Sequence, residues 1–294
     1  MEIFSYPCIL KNPTAVALGR FDGVHSAHKR VIENSKQENL VSTVFTFLDN
    51  PGKTDTKLLT TEKEKQALIE DCGANILINA SFADVRDMSA EEFVRDVLCQ
   101  KLNAKVISCG YNYRFAKGAS ADVNTLRSLC QKYNVTLICS DEMTAEGISV
   151  SSTAIRKLLS QGNASLANKL LGRTYSLEGK IIHGNALGRT ISTPTLNIDA
   201  DKNKLLPLFG VYATKAHIDG KVFDSVTNIG IKPTVGSEAP TVETYLLDFC
   251  GDFYGNYCTV ELVDFIRKEE KFTDLSTLKE AIAKDIEKAK LILT

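Results

Sequence analysis

Ala15-Val16-Ala17-Leu18-Gly19-Arg20-Phe21-Asp22-Gly23-Val24-His25-Ser26-Ala27-His28 is the stretch that decides the first half of the chain. A short apolar run leads through a loop with two glycines into a helix from about Ala27, the opening of a β-loop-α unit. The pattern repeats downstream. Val41 to Phe47, Ile76 to Ile78, Lys105 to Ser108 and Thr136 to Cys139 read as further strands. Between them, Glu62 to Cys72 reads as a helix that stops at Gly73. Ser89 with Glu92 forms a capping box that opens a helix to about Leu102. Val123, Leu126, Leu129, Cys130 and Tyr133 recur at helical spacing. Strands alternating with helices imply βαβ units and a parallel sheet, and such sheets place their sites beyond the carboxyl ends of the strands.

The pattern changes after Arg173. Leu177–His183, Thr195–Ile198, Val211–Ile218, Val222–Ile229, Val242–Asp248 and Thr259–Ile266 are short β-rich runs separated by Gly, Asn, Asp and Pro. They predict an antiparallel barrel or sandwich. A closing helix carries Leu278, Ile282, Ile286 and Ala289 on one face. The expected organisation is an α/β domain over residues 1–173 and a β domain with a terminal helix over 174–294.

The 294 residues include 35 basic and 36 acidic side chains, a net charge of −1. No global field is available to hold a polyanion, so nucleic acid is not an expected partner. The segment from Thr153 to Arg173 is the local exception, with Arg156, Lys157, Lys169 and Arg173 and no acid. It reads either as a solvated helix face or as a phosphate site. Eight cysteines contain no CxxC pair and lie mostly in apolar contexts, which predicts buried free thiols in a reducing cytoplasm and disfavours zinc. Neither a signal-peptide pattern nor a long apolar span is expected, so the chain reads as cytoplasmic and not a membrane protein.

Chemistry enters at several places. His25 and His28 lie three residues apart where a helix begins, so both imidazoles can share a face beside free amides and a positive dipole end. That is a candidate triphosphate cradle, with Gly19 and Gly23 allowing close backbone approach; two incidental loop histidines are the bland alternative. Ser151-Ser152-Thr153-Ala154-Ile155-Arg156 reads as a capped helix start, in which Arg156 could clamp phosphate oxygens. In the second half Thr195 and Asn197 are two apart, so in a strand they point the same way and could help hold Mg²⁺ beside ATP phosphates. Glu243 is an acid in an otherwise apolar β run. It reads either as a solvent-facing strand residue or as a base accepting a hydroxyl proton.

FDGVHSAH, SSTAIR, Gly110-Tyr111-Asn112-Tyr113-Arg114-Phe115 and Phe45-Thr46-Phe47-Leu48-Asp49-Asn50-Pro51 together resemble the adenylyltransferase module of bacterial bifunctional riboflavin kinase/FAD synthetases. HGNALGRTISTPTLNI, GVYA, NIGIKPT, VETYLLDF and FIRKEEKF resemble the riboflavin kinase module of the same family, so the resemblance covers nearly the whole chain. It implies a Rossmann-like nucleotidylyltransferase domain followed by a six-stranded antiparallel barrel. The implied activities are phosphorylation of riboflavin to FMN by ATP and adenylylation of FMN to FAD with release of pyrophosphate. Riboflavin, FMN/FAD and ATP/ADP are the implied small-molecule partners, with Mg²⁺ as cofactor. By resemblance Gly23, His25, His28, Ser152 and Arg156 would contact ATP in the first domain, and Asn50 and Asn112 the flavin phosphate or ATP. In the second, Gly184 and Gly188 would lie over the nucleotide, and Thr195 and Asn197 would bind Mg²⁺ and ATP. Glu243 would activate the riboflavin hydroxyl, and Arg267 would lie near the flavin end. Four positions depart from the family pattern by lacking its glycine: Ala27, Ala116, Ala121 and Ser192. Two alternatives follow: a kinase with a degenerate adenylyltransferase domain, and a flavin- or nucleotide-binding regulator without turnover.

Overall fold

The structure is a computed structural model that describes all residues except 49–56, 184–194, 232–239, 250, 252 and 273. The chain divides into two compact units, Met1–Ser152 and Thr153–Thr294.

The first unit is built on one parallel sheet. Its strands are β1 (Glu2–Ser5), β2 (Thr14–Leu18), β3 (Val41–Phe47), β4 (Ile76–Ala80), β5 (Ala104–Gly110) and β6 (Thr136–Ser140), in the order β1-β4-β3-β2-β5-β6. All residues of the central β2 are buried, as expected of a parallel strand covered on both faces. Alternation along the strands feeds two cores. Val16, Leu18, Phe45, Ile78, Ile107 and Cys109 face one layer with Phe93, Val97 and Leu126. Ala17, Val44 and Leu77 face the other, with Val31 and Ile32 of α1 (Ser26–Glu33) and Ile69 of α2 (Glu62–Asp71).

The capping box read at Ser89 and Glu92 is present and opens α3 (Ala90–Glu92). The helix expected to continue to about Leu102 does continue, but Phe93–Lys101 winds as a π-helix, in which Leu102 N–H reaches back five residues to Val97 C=O at 3.0 Å. This helix buries Phe93, Val94, Val97 and Leu98. α4 (Val123–Lys132) completes the layer, and a two-stranded ribbon, β7 (Thr144–Ala145) and β8 (Ile148–Ser149), follows β6.

The helix α5 (Ser152–Ser160) starts at the last residue of the first unit, and α6 (Ala164–Leu171) follows it. Residues 153–173 pack on the barrel: Leu208 N–H donates to Leu159 C=O at 2.8 Å, and Asn168 Nδ2 donates to Leu262 C=O at 2.8 Å. Asn168 Oδ1 accepts from Tyr175 N–H at 2.7 Å.

The barrel is closed and antiparallel, in the order β10-β13-β12-β11-β14-β9. Its strands are β9 (Tyr175–Ile182), β10 (Leu196–Ala200), β11 (Gly210–Ile218), β12 (Lys221–Ile231), β13 (Pro240–Leu246) and β14 (Tyr257–Lys268), each near a run read from the sequence. Closure leaves no sheet edge exposed. Inside, four fully buried hydroxyls form a row. Thr214 Oγ1 lies 2.7 Å from Ser225 Oγ and 2.8 Å from Thr227 Oγ1, and Thr227 Oγ1 lies 2.9 Å from Thr244 Oγ1. Ser225 also donates to Thr214 C=O at 3.0 Å. A hydroxyl has one proton, so Thr214 must donate to Ser225, Thr227 to Thr214 and Thr244 to Thr227.

A terminal helix, α7 (Leu275–Leu293), starts at Asp274, whose carboxylate accepts from Ser276 and Thr277 N–H, and packs on β11, β12 and β14. No described helix is long and apolar enough to cross a membrane.

Candidate functional site

In the first unit the loop after β2 is held open by polar ties. Asp22 Oδ1 accepts from Leu59 N–H at 2.9 Å, and Thr60 Oγ1 accepts from Gly23 N–H at 3.1 Å. Thr46 Oγ1 donates to Arg20 C=O at 3.0 Å, and Ser152 Oγ donates to Asp22 C=O at 2.8 Å. The loop needs these ties because Phe21, Gly23 and Val24 have φ of 50°, 87° and 36°; left-handed backbone is strained at Phe and more so at β-branched Val. Gly23 thus contributes conformation, with its N–H engaged by Thr60.

The loop delivers His25 as the N-cap of α1. Its Nδ1 accepts from His28 N–H at 3.3 Å. A neutral imidazole whose Nδ1 accepts carries its proton on Nε2, so the His25 proton lies on Nε2, at a helix N-terminus. The His25 and His28 rings are stacked, with centroids 3.5 Å apart at 15°, and the Phe21 ring meets His28 edge-on at 5.3 Å. The two histidines therefore share a face, as their spacing predicts.

Asn112 lies on the exposed turn after β5, the strand beside β2, so its loop opens on the same carboxyl edge. Beside it burial pushes the Tyr113 hydroxyl far up, and Tyr113 stacks on Phe115 at 5.7 Å. Ala27 sits inside α1, where helical φ suits any residue, so the missing glycine costs nothing there. Ala121 is buried and exchanges both backbone bonds with Phe115. Ala116 differs: its φ of 64° and ψ of 178° belong to a region almost restricted to glycine. Ser152 opens α5, and Arg156 stands four residues further along that helix. Asn50 falls outside the described residues.

In the second unit β10, β13 and β12 align three polar residues on one rung. Asn197 pairs with Glu243, and Glu243 pairs with Asn228. All three are half-buried, whereas their neighbours Leu196, Ile198, Val242 and Thr244 are buried inside the barrel. Thr195 directly precedes β10. Its hydroxyl and the Asn197 amide oxygen are hard neutral donors near a carboxylate, a set that suits a hard divalent cation retaining waters and phosphate oxygens. At the far end of β9, the His183 ring stacks on Tyr254 at 3.8 Å. Gly184, Gly188 and Ser192 fall outside the described residues.

Arg267 is held by the terminal helix. Its Nε donates to Asp285 Oδ1 at 2.9 Å and its Nη2 to Asp285 Oδ2 at 2.8 Å, while Nη1 donates to Lys268 C=O at 3.1 Å. It ties β14 to α7, with the Phe272 ring 5.5 Å away.

Residues 9–154 match the FAD synthetase family model, and residues 171–293 match the riboflavin kinase model. A bifunctional riboflavin kinase/FMN adenylyltransferase of Buchnera aphidicola subsp. Schizaphis graminum is 36% identical over 293 residues, covering 95% of this chain and 93% of that relative. One from Bacillus subtilis is 34% identical over 291 residues, covering 94% and 91%. The chain belongs to the bifunctional riboflavin kinase/FMN adenylyltransferase family. A solved structure titled as a macrolide-efflux protein from Streptococcus pneumoniae is also similar, with 25% identity, a TM-score of 0.89 and 99% coverage of each chain.

Within the family's two modules, nothing local in the sequence singles out Thr60, which holds the histidine loop, or Asn228, which flanks Glu243. Asn228 lies in a quoted motif, NIGIKPT, but only the register of β12 against β13 shows its neighbour.

Proposed function

We propose that this chain makes FMN from riboflavin and ATP at the barrel and converts FMN and ATP to FAD and pyrophosphate at the parallel-sheet unit. The observation that carries both activities is the match of both family models in one chain, over nearly the full length of bifunctional relatives. It favours two activities over a kinase with a degenerate partner domain. The retained Glu243 favours turnover over a pure binder, since a binder has no need of a base. The two catalytic domains are assigned by their motifs to residues 1–173 and 174–294, although residues 153–173 of the first pack with the barrel.

At the barrel, Glu243 accepts the proton of the riboflavin 5′-hydroxyl as its oxygen bonds to the γ-phosphorus of ATP, and ADP leaves. Its place on a rung with Asn197 supports this role. Thr195 and Asn197 would hold Mg²⁺ with the nucleotide phosphates, and bound Mg²⁺ would neutralise charge on the transferring phosphoryl group. Gly184 and Gly188 are assigned to the loop over the nucleotide, and Arg267 to the flavin end through its hold on α7. In the sheet unit an FMN phosphate oxygen attacks the α-phosphorus of ATP and pyrophosphate departs. That step asks for alignment and charge stabilisation. The Nε2–H of His25, with His28, Ser152 and Arg156, is assigned to the ATP phosphates, and Asn50 and Asn112 to the flavin phosphate or ATP. Action in a reducing cytoplasm is supported by seven free thiols among the described residues.

Product analysis with riboflavin, ATP and Mg²⁺ tests the assignment. FMN should appear first and FAD after it. Glu243→Gln should lower FMN formation at least about 100-fold, as loss of a general base does, while FAD formation from supplied FMN persists. If folded Glu243→Gln protein lost both activities together, the two-centre assignment would be wrong.

A further inference from the structure

The face of the barrel that carries Glu243 has a hollow filled by a side chain from elsewhere in the unit. Side chains alternate along a strand, so Gly230, two residues beyond Asn228 on β12, opens on the same face as Asn228 and its rung partner Glu243. An ideal Cβ at Gly230 would lie 1.7 Å from Glu269 Oε1 and 2.1 Å from its Cδ. The Glu269 carboxylate therefore occupies the space that a methyl group would take. Glu269 stands just past β14, thirty-nine residues away in sequence.

This occupant is weakly held. Its described hydrogen bond, accepted by Oε1 from Asn228 Nδ2, is 3.4 Å long, beyond the usual range. Directly opposed cross-strand residues have Cβ atoms roughly 5 Å apart, so Glu269 brings a second carboxylate into the patch that holds Glu243. An uncharged oxygen acceptor could take the Asn228 N–H in its place. Riboflavin is uncharged and rich in carbonyl and hydroxyl oxygens.

We propose that the Gly230–Asn228 hollow is a subsite of the kinase centre for an oxygen acceptor of the flavin substrate, and that Glu269 occupies it until the substrate arrives. This rests on the assignment of riboflavin phosphorylation to the barrel. The binding-competent state is then the one with Glu269 swung out, and apparent affinity is lowered by the fraction of molecules in the other state.

The test uses the full chain, with riboflavin KM and kcat measured at saturating ATP and Mg²⁺. Glu269→Ala should lower the riboflavin KM about three- to tenfold, the factor that one modest hydrogen bond supports, with the change falling on KM and not on kcat. Gly230→Ala should raise the KM by a similar factor, because its methyl fills the hollow at a backbone that needs no left-handed φ. Thermal unfolding of both variants reports on folding, and if Gly230→Ala fails to fold, Glu269→Ala alone decides. An unchanged or raised KM in Glu269→Ala would overturn the proposal, the latter making Glu269 a residue that holds the substrate. If wild-type protein made no FMN, the kinase assignment would fail instead. Quenching of riboflavin fluorescence would then compare the two proteins directly, with tighter binding by Glu269→Ala still required.

Discussion

Ala116 carries the most informative single backbone angle in the chain. The family pattern has glycine at Ala27, Ala116 and Ala121, and the sequence cannot rank the three departures. The structure can. Ala27 is helical, Ala121 is in a paired extended segment, and Ala116 alone requires a positive φ with extended ψ. Holding a Cβ there costs on the order of 1–3 kcal/mol. Ala116→Gly should therefore stabilise the first unit by about 1 kcal/mol, after allowing for the greater chain entropy of glycine. The midpoint of urea unfolding measures this, and a lower midpoint would show that the loop prefers the alanine. The histidines were legible for a different reason: their three-residue spacing and the helix start after them are local. The tautomer of His25 was not, because it depends on which atom caps the helix.

Among the elements, the terminal helix shows what periodicity reads and what it misses. The spacing of Leu278, Ile282, Ile286 and Ala289 correctly predicts a helix with one packed face. It gives no hint that Asp285 lies on that face, buried together with Ala289. Its partner Arg267 comes from β14, and nothing local announces a pair eighteen residues apart. Breaking a buried, bidentate pair leaves an uncompensated charge, so Asp285→Ala should cost about 3 kcal/mol. In the double variant Arg267→Ala/Asp285→Ala the loss should be smaller than the sum of the losses in Arg267→Ala and Asp285→Ala, which a double-mutant cycle in thermal unfolding would reveal. Additive losses would mean that the two side chains act independently. The same non-locality hid Glu269 above Gly230. The six barrel strands, in contrast, are all legible in their β-rich runs and turn residues, whereas β1 is too short for its alternation to register.

For the molecule as a whole, the net charge of −1 supplies no global basic field, so any phosphate would have to be met by local donors. It also leaves burial as the main influence on its thiols. Burial pushes Cys109 of the first unit and Cys258 of the second each up to about 12, and Cys130 to about 11, from an ordinary 9.0. The folded chain then keeps protons that the unfolded chain releases. This stabilising contribution is complete below about pH 9 and is lost progressively toward about pH 12. Urea midpoints should accordingly fall between about pH 8 and about pH 10.5, and Cys258→Ala should flatten part of that fall. A midpoint that is constant or rises over this range would contradict the burial of these thiols.

The row of hydroxyls inside the barrel acts as a check on assembly. Every proton in it points the same way, from Thr244 toward Ser225, and the direction is set by one carbonyl at its end. A slip of one residue between β11 and β12 would turn Thr214 or its partners outward. The row would then break all at once and strand its remaining members among apolar neighbours. Misaligned barrels thus meet a penalty that a purely aliphatic core, tolerant of sliding, would not impose. The strand that carries Glu243 takes its alignment from the same row, through Thr244.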